Sequence, residues 1–301
     1  MLYAGELAAL MTAVLWSFTS LFFTSAGRLI GSRWVNRIRI PMAVVLLGAL
    51  HFIMSGHLWP SGVDAEAYLY LAASGVIGLT LGDSFLFKAL VIMGPRRTLV
   101  VFATWPIFAS LTAWVKLGET LGVLALTGIT LTIAGVIWVT AERQFETNQV
   151  KYAESGSPRL GICLAVLAAA GQAIGLVLAK AGMGDSIAPL PATLIRMVAA
   201  AIAVWILALF GNDLKNSASI FKNQKALLFT MGGAVCGPFM GVWMSLTAVK
   251  YTATGIASAI MSITPILVIP MIIIFYKEKV TLRAVLGAVL AVAGVVMLFY
   301  G

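Results

Sequence analysis

Charged residues are scarce in this chain, and their scarcity limits what it can be. Only 10% of its 301 residues are Asp, Glu, Lys or Arg, against about 25% in an ordinary soluble domain. Hydrophobic residues make up 61%, and the mean hydropathy is +1.01. A water-soluble fold of this size could not bury so much apolar surface, so most of the chain must lie in lipid.

Catalytic and metal-binding side chains are also few. The sequence has two His and two Cys, and it contains no H-E-x-x-H, no G-x-S-x-G and no Walker-type phosphate loop. His51 and His57 are six residues apart, a poor spacing for two metal ligands on one helix face. Cys163 and Cys236 fall inside apolar runs and say nothing about the redox compartment. We therefore predict no cofactor, no metal and no enzymatic activity, with an intramembrane enzyme as a remote alternative.

Ten apolar runs are about long enough to cross a hydrocarbon core of about 30 Å as helices. They are 3–25, 36–55, 67–90, 95–116, 121–141, 159–182, 190–210, 226–249, 253–276 and 282–300. The net charge of +9 comes from basic residues placed singly at the ends of these runs, so we predict no nucleic-acid partner. The sequence predicts an all-α, multi-pass integral membrane protein. The absence of an N-x-S/T motif favours a prokaryotic inner (plasma) membrane.

The two halves of the chain repeat each other at an offset of 159 residues. TWPIFASLTAWVKLGET at 104–120 and ITPILVIPMIIIFYKEK at 263–279 have the same spacing from proline to glutamate. The matched residues are Pro106 and Pro265, Glu119 and Glu278, Gly78 and Gly237, and Gly82 and Gly241. Nearer the N-terminus Arg39 matches Arg196, and Trp16 matches Gln172. We predict a first five-helix repeat at 1–141, a polar linker at 142–158 and a second repeat at 159–301.

An odd number of helices in each repeat decides how the two repeats are related. After five crossings, the second copy must enter the membrane from the opposite side, which predicts inverted repeats around a central cavity. The odd-numbered connections carry 16 of the 20 Lys and Arg residues. The positive-inside rule therefore predicts that these connections are cytoplasmic and that both termini lie outside.

The matched prolines and glutamates have predicted structural roles. Pro106 and Pro265 remove a backbone hydrogen bond within a helix, so they predict kinks that could open and close a cavity. Glu119 and Glu278 lie between one helix and the next, where a carboxylate can cap the N-terminus of the following span.

Matched glycines predict close contacts between helices. Gly78 with Gly82 and Gly237 with Gly241 form small-xxx-small pairs, which allow helices to approach closely where lipid supplies no hydrophobic drive. The fifth and tenth helices carry glycines seven residues apart and almost no polar side chains. These two helices are predicted to be scaffold or the walls of a homodimer.

Asp83 is a carboxylate inside an apolar span, and Val242 occupies the equivalent place in the second repeat. An unpaired charge there costs at least about 2.5 kcal/mol. Asp83 could snorkel or pair with Lys88 or the loop arginines, or it could sense substrate or protons, which makes the proton a candidate coupling ion. Other substrate-cavity candidates at mid-depth are Trp16, Ser84, Trp105, Gln172, Trp243, Ser245 and Ser262. A cavity lined by such groups would suit amphipathic or weakly polar solutes.

The sequence resembles the drug/metabolite transporter superfamily, specifically its EamA-type permeases. The resemblance rests on Trp16, Arg39 and Arg196, on SGVIGLTLGDSFLFKAL at 74–90, and on two P-x₁₂-E segments followed by G-x₆-G helices. It implies a basket of helices that exchanges small metabolites by alternating access, in many members outward. One departure is that familiar ten-helix relatives have cytoplasmic ends, whereas the Lys and Arg bias here predicts the opposite orientation.

Two functions fit these observations. The first is a secondary transporter, a permease or exporter, of amino acids or related amphipathic solutes. The second is a carrier or flippase for lipid-linked solutes, which a lateral opening toward lipid would favour. In either case the partners are a small-molecule substrate and membrane lipids.

The predicted inversion can be tested by labelling two connections. With Cys163 and Cys236 replaced, Gly118→Cys should react with a membrane-impermeant maleimide applied to intact cells. Lys277→Cys should react only after the cells are permeabilised, because it lies in an odd-numbered connection. Labelling of both positions from the same side would contradict inverted repeats.

Overall fold

The computed structural model describes residues 3–141, 157–210, 221–276 and 281–300. Their α-helices are α1 (Ala4–Ile30), α2 (Ser32–Ser55), α3 (Ala65–Ser74), α4 (Asp83–Phe102), α5 (Trp105–Leu117), α6 (Val123–Ala141), α7 (Pro158–Met183), α8 (Pro189–Leu209), α9 (Gln224–Ala234), α10 (Val242–Tyr251), α11 (Thr254–Met261), α12 (Thr264–Tyr276) and α13 (Leu282–Leu298). Two π-helical segments, Gly75–Gly82 and Val235–Gly241, join α3 to α4 and α9 to α10.

These helices make ten spans, the number that the sequence predicts. Eight stretches are long and apolar enough to cross a membrane, and two shorter apolar helical stretches supply the ninth and tenth spans. The third span runs from α3 into α4 and the fourth from α4 into α5. The eighth span joins α9 to α10, and the ninth is α11 followed by α12. The protein is therefore an all-α, ten-helix membrane protein.

Polar residues at the membrane edges start several of the spans. The side chains of Asp64, Ser157, Asn223 and Thr281 each accept a hydrogen bond from the backbone N–H three residues later. Each bond satisfies a helical N–H that has no partner within its own helix. The short polar connections thereby define where the apolar helices begin.

The two repeats share the same irregularities as well as the same helices. The π-helical segments of the third and eighth spans occupy equivalent positions at the offset of 159 residues. The fourth span is interrupted at 103–104 and the ninth at 262–263, again at that offset. Because both irregularities recur, the two halves have the same fold in opposite orientations across the membrane.

The sequence predicts kinks at Pro106 and Pro265, and the structure interrupts the fourth and ninth spans with a turn just before these prolines. Each proline is the second residue of a new helix, α5 or α12, where its missing N–H removes no bond. The helices before them, α4 and α11, have already ended. The fourth and ninth spans are therefore discontinuous, which separates each into two half-helices.

The fifth and tenth spans pack against each other through their glycines. A Cβ added at Gly135 would lie 2.5 Å from the oxygen of Gly287, and one at Gly294 would lie 2.7 Å from the oxygen of Gly128. Each backbone thus occupies the space that a side chain of the other would need. The glycine faces meet within one chain and serve as scaffold, and the prediction that these helices form the walls of a homodimer stays a prediction.

The small-xxx-small glycines of the third and eighth spans face the opposite repeat. Gly78 and Gly82 face the backbone of α7 in the sixth span, and a Cβ added at either glycine would lie within 3.5 Å of that backbone. Gly237 and Gly241 face α1: a Cβ added at Gly237 would lie 2.8 Å from the side chain of Thr19, and one added at Gly241 would lie 2.7 Å from the ring of Trp16. The predicted packing glycines therefore hold the first repeat against the second.

Gly135→Leu should destabilise the protein, because the new side chain would collide with the backbone of α13. Overpacking a tight contact typically costs about 1–3 kcal/mol, so the melting temperature in detergent should fall. Gly48→Leu is the matched control, since Gly48 lies in α2 with nothing within 4 Å of a Cβ. Equal melting temperatures for the two variants would show that α6 and α13 are not in close contact.

Candidate substrate site

Three charged side chains lie on neighbouring elements inside the membrane-spanning part of the protein: Arg39 contacts Asp83, and Arg196 lies beside Gly78 in the segment before Asp83. Arg39 lies in the third turn of α2, Asp83 is the first residue of α4, and Arg196 lies in the third turn of α8. Asp83 follows directly after a π-helical segment, where the wider turn changes the direction in which the next side chains point. We call these residues the charged cluster.

Arg39 and Asp83 form an ion pair that joins the second and third spans. A guanidinium nitrogen of Arg39 donates to the Asp83 carboxylate, and Nε of Arg39 donates to Oδ1 of Asn36 at 2.8 Å. The guanidinium also lies 5.3 and 5.8 Å from the ring centroids of Phe23 and Phe87, within the range of cation–π attraction. The predicted partner Lys88 is exposed instead.

Arg196 is the most deeply buried charge of the cluster. Only 1% of the residue is exposed, and its Nε has no hydrogen-bond partner within the described residues. The glycines of the π-helical segment make room for it: a Cβ at Gly78 would lie 3.0 Å from a terminal nitrogen of Arg196. That nitrogen therefore lies beside the π-helical segment that leads into Asp83.

A second polar network closes one face of the membrane-spanning bundle. We call this the terminal face; it holds residues 3, 118–122, 184–188, 252–253 and 299–300. The basic face lies opposite, where α1 ends and α2 begins. At the terminal face the Glu119 carboxylate accepts from the backbone N–H of Thr254 at 2.7 Å and from its hydroxyl at 3.0 Å. Glu119 therefore caps α11 of the second repeat, whereas the sequence predicts a cap on the next helix of its own repeat.

Lys180 extends this network to the sixth span. Its Nζ lies 2.7 Å from the Glu119 carboxylate and donates to the carbonyl oxygen of Thr252 at 2.8 Å. The hydroxyl of Thr252 donates to the Glu6 carboxylate of α1 at 2.6 Å. These bonds connect the first, sixth and ninth spans with the connection that follows the fourth. Glu278, the predicted counterpart of Glu119, lies outside the described residues.

The two faces are not packed alike. At the terminal face α11 packs against α5, and a Cβ at Gly255 would lie 3.3 Å from the Cβ of Ser110. The equivalent elements at the basic face are the second half of α4 and α12, and between these described helices there is no contact of comparable extent. Among the described residues, the contact between half-helices is therefore larger at the terminal face than at the basic face, and in this sense we call the terminal face closed and the basic face more open.

A family model for EamA-like transporters matches residues 3–141 and again residues 159–300. The chain belongs to the EamA-like transporter family. One crystal structure of another protein superposes on it with a TM-score of 0.78 over 99% of this chain and 96% of the other, at 16% sequence identity, which shows a shared fold. A comparison with curated protein sequences found no significant match.

Family membership decides the general function. Members of the EamA-like family are transporters, so this chain is a multi-pass membrane transporter of small molecules and not an enzyme. Within the described residues, no group of three or more His, Cys, Asp or Glu side chains is arranged to hold a metal ion.

The structure brings only some of the predicted cavity residues near the charged cluster. Ser84 follows Asp83 directly, and the backbone nitrogen of Gln172 lies beside Gly82, the residue before Asp83. At the matched position in the other repeat, the ring of Trp16 lies against Gly241. Trp243 packs, partly buried, on the apolar cluster that includes Leu79 in the π-helical segment.

Trp105 serves packing, and the hydroxyls of the three serine candidates bond within their own helices. Trp105 is 3% exposed and belongs to the main hydrophobic core. The hydroxyls of Ser84, Ser245 and Ser262 each donate to a carbonyl oxygen three or four residues earlier in the chain, a common way to satisfy a hydroxyl inside a membrane helix.

Arg39 and Arg196 were missed as site residues by the sequence analysis. From the sequence, Arg39 and Arg196 were recognised only as matched positions of the two repeats and as part of the family resemblance. The available signal was their position inside apolar runs: Arg39 is the fourth residue of 36–55 and Arg196 the seventh of 190–210, and an ionisable residue within a span points to function by default.

An apolar groove lies between the ninth and tenth spans. It has a volume of about 560 Å³ and is lined by Ile266, Leu267, Pro270, Ala284, Val285, Ala288, Val289, Val292, Ala293 and Val296. None of these residues belongs to the second, third or seventh span, which carry the charged cluster. The groove is therefore no lateral path from lipid to that cluster.

Glu119→Gln should destabilise the closed terminal face, because it removes the ion pair with Lys180 and weakens the cap on α11. Hydrogen bonds to a charged group contribute about 1.5–3 kcal/mol each, so we expect a lower melting temperature in detergent. Glu66→Gln is the control: Glu66 is exposed in the first turn of α3 at the same face. An unchanged melting temperature for Glu119→Gln would show that the network does not hold the face closed.

Proposed function

We propose that the protein is a secondary transporter that moves small metabolites by alternating access between its inverted repeats. The observation that carries the proposal is a difference in helix contact. At the terminal face α5 packs against α11, whereas the equivalent helices at the basic face, α4 and α12, have no contact of comparable extent among the described residues. Because the halves have the same fold in opposite orientations, each can adopt the conformation of the other. If the two repeats exchanged conformations in this way, the terminal face would open and the basic face would close around the same site.

The discontinuous spans supply the places where this movement can occur. The chain at 103–104 and 262–263 lies between half-helices, where backbone dihedral angles can change without breaking a continuous helical ladder. The half-helices α5 and α11 meet at the closed face. Separating them requires breaking the bonds of Glu119 to Thr254 and Lys180, and equivalent contacts would form between α4 and α12.

The scaffold for this movement is the contact between the fifth and tenth spans. Their glycine faces interlock backbone to backbone, so α6 and α13 cannot separate without losing a large, dry contact. The two repeats can therefore rock against each other while remaining joined at this contact. The Lys and Arg bias favours a cytoplasmic basic face, which would make the present conformation open to the cytoplasm.

We favour small amphipathic solutes such as amino acids as the substrates. The charged cluster lies beside the aromatic rings of Phe23 and Phe87, so a polar group and an apolar body can both be accommodated. The lipid-linked alternative expects a lateral opening at the site. The groove of the ninth and tenth spans does not provide one, since its lining is apolar and excludes the cluster.

A reversible cross-link between α5 and α11 tests alternating access. In a protein lacking Cys163 and Cys236, Ser110→Cys with Gly255→Cys places two thiols at positions whose Cβ atoms are 3.3 Å apart, close to the distance that a disulfide requires. Oxidation should lock the terminal face closed. Counterflow of labelled amino acids, nucleosides and sugars into proteoliposomes should then stop, and reductant should restore it.

The single-cysteine variants control for the substitutions themselves, and each should transport equally before and after oxidation. Undiminished counterflow in the fully cross-linked double variant would show that the terminal face need not open. Alternating access by exchange of the two repeat conformations would then be wrong.

A further inference from the structure

The charges of the cluster do not balance. Arg39 and Asp83 form one ion pair, which leaves the guanidinium of Arg196 as a second cation beside a single carboxylate. Lys88 is exposed and does not belong to the cluster. The cluster therefore carries one excess positive charge in the membrane-spanning part of the protein, where an uncompensated charge is costly.

Repeat symmetry explains where the missing negative charge would belong. Arg39 and Arg196 are equivalent residues of the two repeats, but the residue equivalent to Asp83 is Val242. The first repeat thus supplies a carboxylate to its arginine, and the second repeat does not. Arg196 keeps an Nε–H that is buried and has no partner among the described residues. Leaving such a donor unsatisfied destabilises the protein unless something else binds it.

Arg39 and Asp83 are the more exposed part of the cluster. The side chains of Arg39 and Asp83 are 12% and 18% exposed, and Arg39 lies in the part of α2 nearer the basic face. Arg196 enters from the terminal face and lies deeper. A solute that comes from the basic face meets the pair of Arg39 and Asp83 first, and the rings of Phe23 and Phe87 give it an apolar surface beside that pair.

Building on the proposed transport function, we infer that the substrate is a small solute with one carboxylate on an apolar body. Its carboxylate binds Arg196 together with Arg39, in competition with the carboxylate of Asp83. A planar carboxylate matches the fork of N–H donors on a guanidinium. A monoanion neutralises the excess charge, whereas a phosphate dianion would leave one negative charge in excess near Asp83.

The competition with Asp83 gives the site a way to release its ligand. Without a substrate, Asp83 satisfies Arg39 and limits the positive charge of the empty cluster. A bound carboxylate replaces part of that interaction and also forms an ion pair with Arg196. Because Asp83 remains nearby and can form its ion pair with Arg39 again, the ligand can dissociate.

Binding to the purified full-length protein in detergent tests this inference without requiring transport. Three probes share a phenyl body: 3-phenylpropanoate, its neutral amide, and 2-phenylethyl phosphate. We expect the carboxylate to bind at least about 10-fold more tightly than the other two, measured by the shift in melting temperature with ligand concentration. Equal binding of the carboxylate and the amide, or no binding of the carboxylate, would overturn the inference.

Variants assign the preference to particular residues. Arg196→Gln should weaken carboxylate binding about 10-fold or more and leave amide binding unchanged, while Arg196→Lys should retain part of the preference. Lys88→Gln removes an exposed positive charge outside the cluster and should change the binding of either probe less than about twofold. A similar loss for Lys88→Gln would show a general effect of charge.

Asp83→Asn keeps the test valid even if Arg196→Gln does not fold. Removal of the competing carboxylate should tighten binding of 3-phenylpropanoate about 10-fold, and unchanged or weaker binding would contradict the inference. The cross-link between α5 and α11 separates the two proposals. If the carboxylate binds as expected but transport continues in the locked protein, alternating access is wrong and the anion site remains.

Discussion

The hydrocarbon core of a membrane offers no water to a charged group, and this constraint governs the candidate site. Each ionised side chain that lies there must find an opposite charge or hydrogen-bond partners within the protein or its ligand. Asp83 meets the constraint through Arg39, and Arg39 meets it through Asp83, Asn36 and nearby aromatic rings. Arg196 does so incompletely, and the proposed function of the site follows from that deficit.

The same constraint determines how the scaffold is held together. Lipid tails are as apolar as leucine, so burying apolar surface between helices gains little, and close contact must supply the attraction. Glycine backbones provide that contact between α6 and α13 and between the third and sixth spans. The hydrogen bonds and ion pair that Glu119 makes with Thr254 and Lys180 lie near a membrane edge. Strong backbone contacts therefore form the fixed part of the protein, and breakable polar contacts form the closed face.

Inverted repeats turn one fold into two conformations. When two inverted copies of a unit differ in local packing, each copy shows a conformation that the other can adopt. A second conformation of the whole protein is therefore available without any additional structural element. The repeats here are alike in their π-helical segments and helix breaks, and they differ in the residues that carry charge. Symmetry thus accounts for the movement that we propose, and the difference between Val242 and Asp83 accounts for the proposed selectivity.

Much of the architecture followed from the amino-acid sequence alone. Ten apolar runs, an offset of 159 residues and an odd number of spans per repeat determined the fold class and the inversion, because span length and side-chain polarity are local properties. Tertiary structure alone decided which polar groups meet: Asp83 with Arg39 and not with Lys88, and Glu119 with α11 of the other repeat. It also showed that helices end before Pro106 and Pro265, and that the glycines of α6 and α13 face each other. These contacts join residues far apart in the chain, and the spacing of residues along a helix carries no information about which distant helix will lie beside it.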